Sequence, residues 1–339
     1  MIDESTERPA IAYAGQTPWH KLGRKMTNGE RSNLPAAMAL AGLDFEVIAE
    51  PLYRAYRRTP DAPIEYRQVS DAQGVSRIDT NAYLGTVGGQ YTTVQNRPAF
   101  GVLEPLIERH GCTVEVMASL DGGRRTFALV RMPDATVTPV PGDDVRGYVL
   151  VTNSHDGSAA VRAQLTPIRV VCQNTLTLSQ TTKHATAAVI RHTKTANDRL
   201  AQAAQLIERM QLALRETGDT YASLAAQTLT PQQIAKYIKT VIPGDRDADG
   251  KLSKTIRERR EAIADLVFHG HHAQDGGADA SKGYATAWRA YNAVTEYFDH
   301  VRAKEASSAA GRANAYDSAL FGGNAAIKAR ALNVLVAAA

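Results

Sequence analysis

Cysteine is nearly absent from this 339-residue chain, which carries only Cys112 and Cys172. Two thiols are too few for a disulfide scaffold or for a zinc cluster built on cysteine pairs. Long apolar runs are also missing. Arg, Lys, Gln or Asp interrupts each of them short of the ~18 residues that a membrane-spanning helix requires, so no membrane partner is expected. Met1-Ile2-Asp3-Glu4-Ser5 places acids where a secretory signal would carry a basic region and then an apolar stretch, which points to the cytoplasm. The motifs G-x-x-x-x-G-K-[ST], H-E-x-x-H and G-x-S-x-G do not occur, removing P-loop, zincin and ordinary α/β-hydrolase chemistry from the leading candidates. No repeat of fixed period is visible, which argues against solenoids and propellers.

What is present is an ordinary globular composition, 44% hydrophobic and 22% charged, far from that of a disordered chain. The chain exceeds the roughly 250–300 residues that one core usually serves, so two lobes are expected. Composition changes near residue 195, from Val, Thr and Tyr in short alternating runs to Ala, Gln, Leu and Arg at helical spacing. The reading is an α+β protein: a β-rich lobe over 1–195 containing an antiparallel meander (112–173), and a helical lobe over 196–339 packed against it. Asp121-Gly122-Gly123 and His155-Asp156-Gly157-Ser158 supply the hairpin turns. A helix is expected from Asn96 to Arg109, stopped by Gly111, although Pro105 interrupts its pattern. Further helices are expected from Asp198, as N-cap, to Gly218, then over 231–241, 253–268 and 282–304.

Several constellations admit both a chemical and a plainer reading. Asp245-Arg246-Asp247-Ala248-Asp249-Gly250 begins like a calcium loop, but its twelfth position is Ile256 rather than a bidentate carboxylate, so a solvated loop is preferred. Thr230 to Ile238 resembles the first helix of a helix-turn-helix, yet Pro243-Gly244 replaces the turn and no reading helix follows; a packing helix is preferred. His269-Gly270-His271-His272 with Asp275 could gather metal ligands, but flanking glycines argue for a bland loop. Tyr284, Trp288, Tyr291 and Phe298 form a helical stripe read as core before base stacking. No metal and no cofactor is expected.

Charge is where the sequence speaks most clearly. From Gly157 through Asn197 there is no Asp or Glu, while Arg162, Arg169, Lys183, Arg191 and Lys194 are present. Such a run projects positive potential, and its Thr, Ser, Gln and Asn add neutral donors for phosphate and sugar oxygens. The functional reading is a surface that tracks a nucleic-acid backbone, DNA or RNA and taken to be single-stranded, without sequence readout. Two alternatives stand beside it: a meander whose arginines pair with acids of the other lobe, and a site for a small anion. Tyr53-Arg54-Ala55-Tyr56-Arg57-Arg58 interleaves rings and cations as single-strand binders do, and edge-strand decoration explains it equally well. The competing chemistry is an enzyme centred on Cys172, His155 and Asn174, with Arg169 as cationic neighbour; the plainer view of Cys172 is a small buried hydrophobe. Both cysteines are expected to be reduced and buried. A homo-oligomer is compatible with all of this.

Thr17-Pro18-Trp19-His20-Lys21-Leu22-Gly23, Leu84-Gly85-Thr86-Val87, Tyr91 to Asn96, Asn153-Ser154-His155-Asp156-Gly157-Ser158 and Arg169 to Leu176 together resemble the phage/plasmid-like proteins catalogued as a domain of unknown function. Thr286-Ala287-Trp288, Asn292 to His300, Phe321-Gly322 and Lys328 are similar to that family's C-terminal segment. The resemblance implies a protein of phages, plasmids and other mobile elements, working in the cytosol of a bacterial host. It implies no assigned activity and no catalytic residues. By association it favours DNA annealing, recombination or protection, with an interaction protein that blocks a host defence factor as a further option. It also groups Asn153, His155, Asp156, Arg169 and Asn174 as polar residues expected to converge at strand ends beside Cys172.

Overall fold

The computed structural model describes residues 10–15, 23–169, 187–208, 210–244, 252–270, 278–302 and 323–338. Strands fall mostly in the first half of the chain and helices mostly in the second, an α+β arrangement. A seven-stranded sheet is built from β1 (Ile11–Tyr13), β2 (Arg24–Lys25), β6 (Thr113–Leu120), β7 (Arg125–Val140), β8 (Asp143–Ser154), β9 (Val161–Arg169) and β10 (Ala187–Ile190), in the order β10-β9-β8-β7-β6-β1-β2. A second sheet holds β3 (Val47–Tyr56), β4 (Glu65–Arg77) and β5 (Tyr83–Gly88) in chain order, with both pairings antiparallel.

Short connections dictate the meander. β6 and β7 pair antiparallel around Asp121–Gly123, where Asp121 (φ 51), Gly122 (φ 71) and Gly123 (φ 103) take the left-handed backbone that the tight reversal demands. Two residues join β7 to β8 and six join β8 to β9, links too short for a parallel crossover. The expected meander is therefore present from Thr113 to Arg169; residues 170–173 lie outside the described residues. β10 closes that side by pairing antiparallel with β9 from Ala187↔Gln164 to Ile190↔Val161.

The first two helices begin on side-chain caps. Short α1 (Asn28–Arg31) opens on a Thr27/Glu30 capping box, and α2 (Leu34–Leu40) on the Asn33 side chain with Pro35 in its first turn. The expected helix from Asn96 is two: α3 (Asn96–Gly101) and α4 (Glu104–His110), the latter ending on Gly111 at φ 61. Pro105 sits in the first turn of α4, where its missing N–H costs nothing.

The next helices correct the sequence reading in three places. α5 (Ala196–Glu208) starts before Asp198, which lies inside its first turn, and α6 (Met210–Ala226) runs through Gly218. A Cβ at Gly218 would lie 2.7 Å from Val137 Cγ1, so this glycine permits close approach of helix to strand and is no stop signal. α7 (Pro231–Val241) has the Thr230/Gln233 capping box and buries Ile234, Tyr237, Ile238 and Val241, the packing helix expected. α8 (Lys254–His269) is capped by Ser253. Residues 284–286 are extended rather than helical: β13 (Tyr284–Thr286) joins β11 (Thr228–Leu229) and β12 (Ala278–Asp279) in a three-stranded sheet. α9 (Ala287–Glu296) then starts on the Thr286 cap and passes into a π-helical turn at Tyr297–Val301. Of the aromatic stripe, Trp288, Tyr291 and Phe298 are core, whereas Tyr284 is 40% exposed. α10 (Gly323–Val336) completes the chain's helices among the described residues.

By contacts the chain forms two compact units. The first comprises 1–133, 149–164 and 187–209; its interior includes Leu43, Val75, Leu84, Phe100, Leu103, Leu106 and Met117. The second comprises 134–148, 165–186 and 210–339, and packs Tyr221, Tyr237, Trp288, Tyr291 and Phe298 with aliphatic residues of α7, α8 and α10. Trp288 donates its Nε1–H to Asp143 Oδ2 at 2.8 Å inside that core.

Candidate functional site

The loop Asn153 to Ser158 is the polar centre of the first unit. Asp156 organises it locally: its Oδ1 accepts from Ser154 Oγ (2.6 Å) and from the Ser158 backbone N–H (2.9 Å), while Arg125 Nε lies 3.9 Å from its Oδ2. The hairpin-turn reading of His155-Asp156-Gly157 thus holds as far as the backbone goes. The turn is also packed from outside. A Cβ at Gly85 on β5 would lie 3.0 Å from Asp156 Cα, so only glycine lets that strand pass so close.

His155 is fully buried. Its Nε2 lies 3.0 Å from Asn96 Oδ1, an oxygen that also accepts from Thr126 Oγ1 at 3.0 Å. An amide oxygen can only accept, so Nε2 carries the ring proton and donates it, leaving Nδ1 with a lone pair. That Nδ1, like the Asn96 Nδ2, has no hydrogen-bond partner among the described residues. Phe45 meets the ring edge-on at 5.8 Å. Asn153 braces the assembly by donating to Val94 O (3.1 Å) and accepting from the Ser154 N–H (2.9 Å). Tyr91 donates to Ser154 O at 3.2 Å and stacks at 4.8 Å on His192, another buried imidazole. The segments 84–87, 91–96 and 153–158, separate in sequence, therefore meet here.

Electrostatics follow from burial. Desolvation holds His155 down to about 3, with the neighbouring His192 acting in the same direction and Asp156 against it. Desolvation holds His192 down to about 4, opposed by the Thr92 backbone. Both rings are neutral near pH 7. Tyr91 is pushed up by burial and then by Asp156. For Asp156 burial acts upward, but the hydrogen bonds from Ser154 and Ser158 outweigh it and leave the carboxyl below its ordinary range. A fully buried imidazole whose proton is committed to Asn96 orients its neighbours; it is poorly placed to take a proton from a substrate at neutral pH.

Of the residues grouped as a catalytic alternative, His155 is placed as above, while Cys172 and Asn174 lie outside the described residues. Cys112 is buried. Sequence reasoning missed Asn96, Thr126, Tyr91 and His192 as companions of His155. The available signal is Asn96 itself, an amide set among Val94, Ala99 and Phe100, which the sequence reading places at a helix start and in the Tyr91 to Asn96 motif without joining it to His155.

The cationic stretch is seen in part. Arg162 is exposed on β9 directly opposite exposed Val189 of β10, and Arg191 and Lys194 are exposed just beyond the end of β10. None of these three is in an ion pair among the described residues. The buried face of the same strands carries Val161, Ala163, Ala188 and Ile190. Arg169 ends β9, and Lys183 lies outside the described residues, as do Asp245 to Gly250, His271, His272, Asp275 and Phe321-Gly322. His269 pairs with Asp265 at 2.9 Å on the surface of α8. Among the described residues no three His, Cys, Asp or Glu side chains gather as metal ligands, and no helix is long and apolar enough to cross a membrane.

In the second unit the motif residues Asn292 to Phe298, and Lys328, are buried as well. Lys328 of α10 donates to Asp299 Oδ1 at 2.7 Å with both side chains below 10% exposure, and Arg302 donates to Asn324 Oδ1 at 3.0 Å.

No curated protein and no solved structure matches the chain. Residues 83–320 match the profile of one protein family, and this span includes the His155 loop, Asn96, the β9–β10 edge and the Asp299 turn. The chain accordingly belongs to the family described as Domain of unknown function (DUF932).

Proposed function

We propose that the protein binds nucleic acid, DNA or RNA, along the β9–β10 edge of its large sheet, without reading sequence. The observation that supports this best is the exposure of Arg162, Arg191 and Lys194 at one end of that edge, in a stretch with no acid from Gly157 to Asn197 to neutralise them. Exposed cations with no acidic partner suit phosphates, and contacts of this kind position a strand without specifying it. The neutral, buried state of His155 weighs against a solvent-accessible base as the alternative. The resemblance to phage- and plasmid-borne proteins suggests the setting: annealing, recombination or protection of DNA in a bacterial cytosol.

Salt-titrated binding to single- and double-stranded DNA and to RNA tests the proposal. Three phosphate contacts to a single strand give a slope of log affinity on log salt of about −2. The triple variant R162A/R191A/K194A is expected to flatten that slope and to weaken binding equally for unrelated sequences. No binding of the folded protein to any nucleic acid at low salt overturns the reading.

A further inference from the structure

The β3–β4 pair changes character along its length. At one end it belongs to a three-stranded sheet, because β5 pairs with β4 between Ala72↔Gly88 and Ser76↔Tyr83. Beyond the register shift after Pro51 only two strands remain among the described residues, running from Tyr53↔Gln68 to Tyr56↔Glu65 and joined by residues 57–64. This outer part is about 13 Å long before the turn, at ~3.3 Å per residue. Neither of its faces is covered among the described residues: Tyr53 is 59% and Tyr66 72% exposed, and Ile64 in the turn is 49% exposed. A two-stranded ribbon gains nothing for folding by holding large rings in water.

Register assigns the side chains to faces. Opposed residues share a face, so Tyr53, Ala55, Tyr66 and Gln68 line one side, and Arg54, Tyr56, Glu65 and Arg67 the other. On the second side Arg54 and Arg67 lie over the Tyr56 ring, at 5.6 and 5.3 Å from its centre, and Tyr56 donates to Glu65 Oε2 at 2.6 Å. Arg57 and Arg58 are exposed where the turn begins. Between residues 53 and 68 the four arginines face two acids, Asp61 and Glu65, and Glu65 is already held by Arg58 at 2.9 Å.

We infer that this ribbon is a contact for single-stranded nucleic acid, with unpaired bases stacking on Tyr53 and Tyr66 while Arg54, Arg57, Arg58 and Arg67 neutralise the strand's phosphates. Rings free of sequence preference and a surplus of arginine match an unpaired polyanion whose bases are open to stacking. The inference extends the nucleic-acid reading of the preceding subsection to a second surface and names the strand state that it prefers.

The test compares wild type with Y53A/Y66A on a thymidine 12-mer, an abasic 12-mer of the same charge, and a 12-base-pair duplex, at two salt concentrations. Wild type is expected to prefer the thymidine strand over the abasic one by about tenfold or more, since each base–aromatic stack is worth at least that order. Y53A/Y66A is expected to lose the preference and keep the salt slope, whereas R162A/R191A/K194A keeps the preference and loses slope. If Y53A/Y66A, folded by circular dichroism, retains the wild-type preference, or if wild type shows none, the ribbon is not a base-stacking surface. The β9–β10 reading then stands or falls on its salt slope alone. A salt slope left unchanged by R162A/R191A/K194A, with the thymidine preference intact, would remove the edge and leave the ribbon. Binding to no strand at all removes both.

Discussion

The two units bury polar groups in opposite ways. The first gathers neutral ones, Asn96, Thr126, Asn153, Ser154, His155 and His192, and keeps the Asp156 and Arg125 charges at the rim of the cluster. Arg77 is buried there too, but its guanidinium is bidentate to Asp79, which is 43% exposed and held below its ordinary range mainly by that contact. The second unit places formal charges inside: Lys328 with Asp299, Arg289 on the Val267 and Phe268 carbonyls, and Asp143 on the Trp288 indole. The contrast is instructive because desolvation acts differently on each. A neutral imidazole resists burial only when a proton arrives, whereas an ion pair resists as soon as one partner is removed.

The largest expected break in this comparison is in the second unit. Lys328→Ala leaves the Asp299 carboxylate buried without its ammonium and is expected to cost about 3–5 kcal/mol, read by urea denaturation. The pair K328M/D299L is expected to recover a good part of that loss, because replacing both charges by apolar side chains removes the desolvation cost along with the attraction.

Acid should probe the first unit. Both imidazoles have folded-state values below the unfolded value near 6.5, so the unfolded chain binds more protons and stability falls as pH drops below about 6.5, levelling off only near 3 to 4. Between pH 6 and 5 the two together are expected to remove about 2 kcal/mol, seen as a falling denaturation midpoint. His192→Gln should roughly halve that slope. A flat profile would mean that both rings take up protons in the fold as readily as in the unfolded chain.

A smaller effect sharpens the same contrast through packing. Gly85→Ala sets a methyl 3.0 Å from the Asp156 backbone and is expected to cost about 1–2 kcal/mol, with a melting temperature lowered by several degrees. Backbone against backbone cannot yield as a side chain can.

What the sequence disclosed was local. The Asp121–Gly123 reversal, the His155–Ser158 turn and the helix starts at residues 231 and 253 are set by residues close by in the chain, and each is found within one residue of where the sequence puts it. Gly218 misled because its role depends on Val137, a strand residue far away in the chain. The helix expected from residue 282 misled because Tyr284 to Thr286 pair with β11 and β12, and tertiary pairing overrides local helical spacing. His155 was legible as a turn residue and hidden as a buried one: its environment comes from Phe45, Asn96 and Thr126, which no periodicity connects to it.

The register shift in the β3–β4 pair has a consequence for how the ribbon is encoded. Between Pro51↔Gln73 and Tyr53↔Gln68 the first strand advances two residues and the second five. An odd surplus inverts the alternation of β4, which is why Tyr66 emerges beside Tyr53 and Arg67 beside Arg54. The outer pairs, Ala55↔Tyr66 and Arg54↔Arg67 among them, keep their own register because residues 69–72 take up the difference from the inner ladder. The separation of Tyr53 and Tyr66 from the face where Arg54 and Arg67 lie over Tyr56 thus depends on the length of a four-residue segment as well as on the residues themselves.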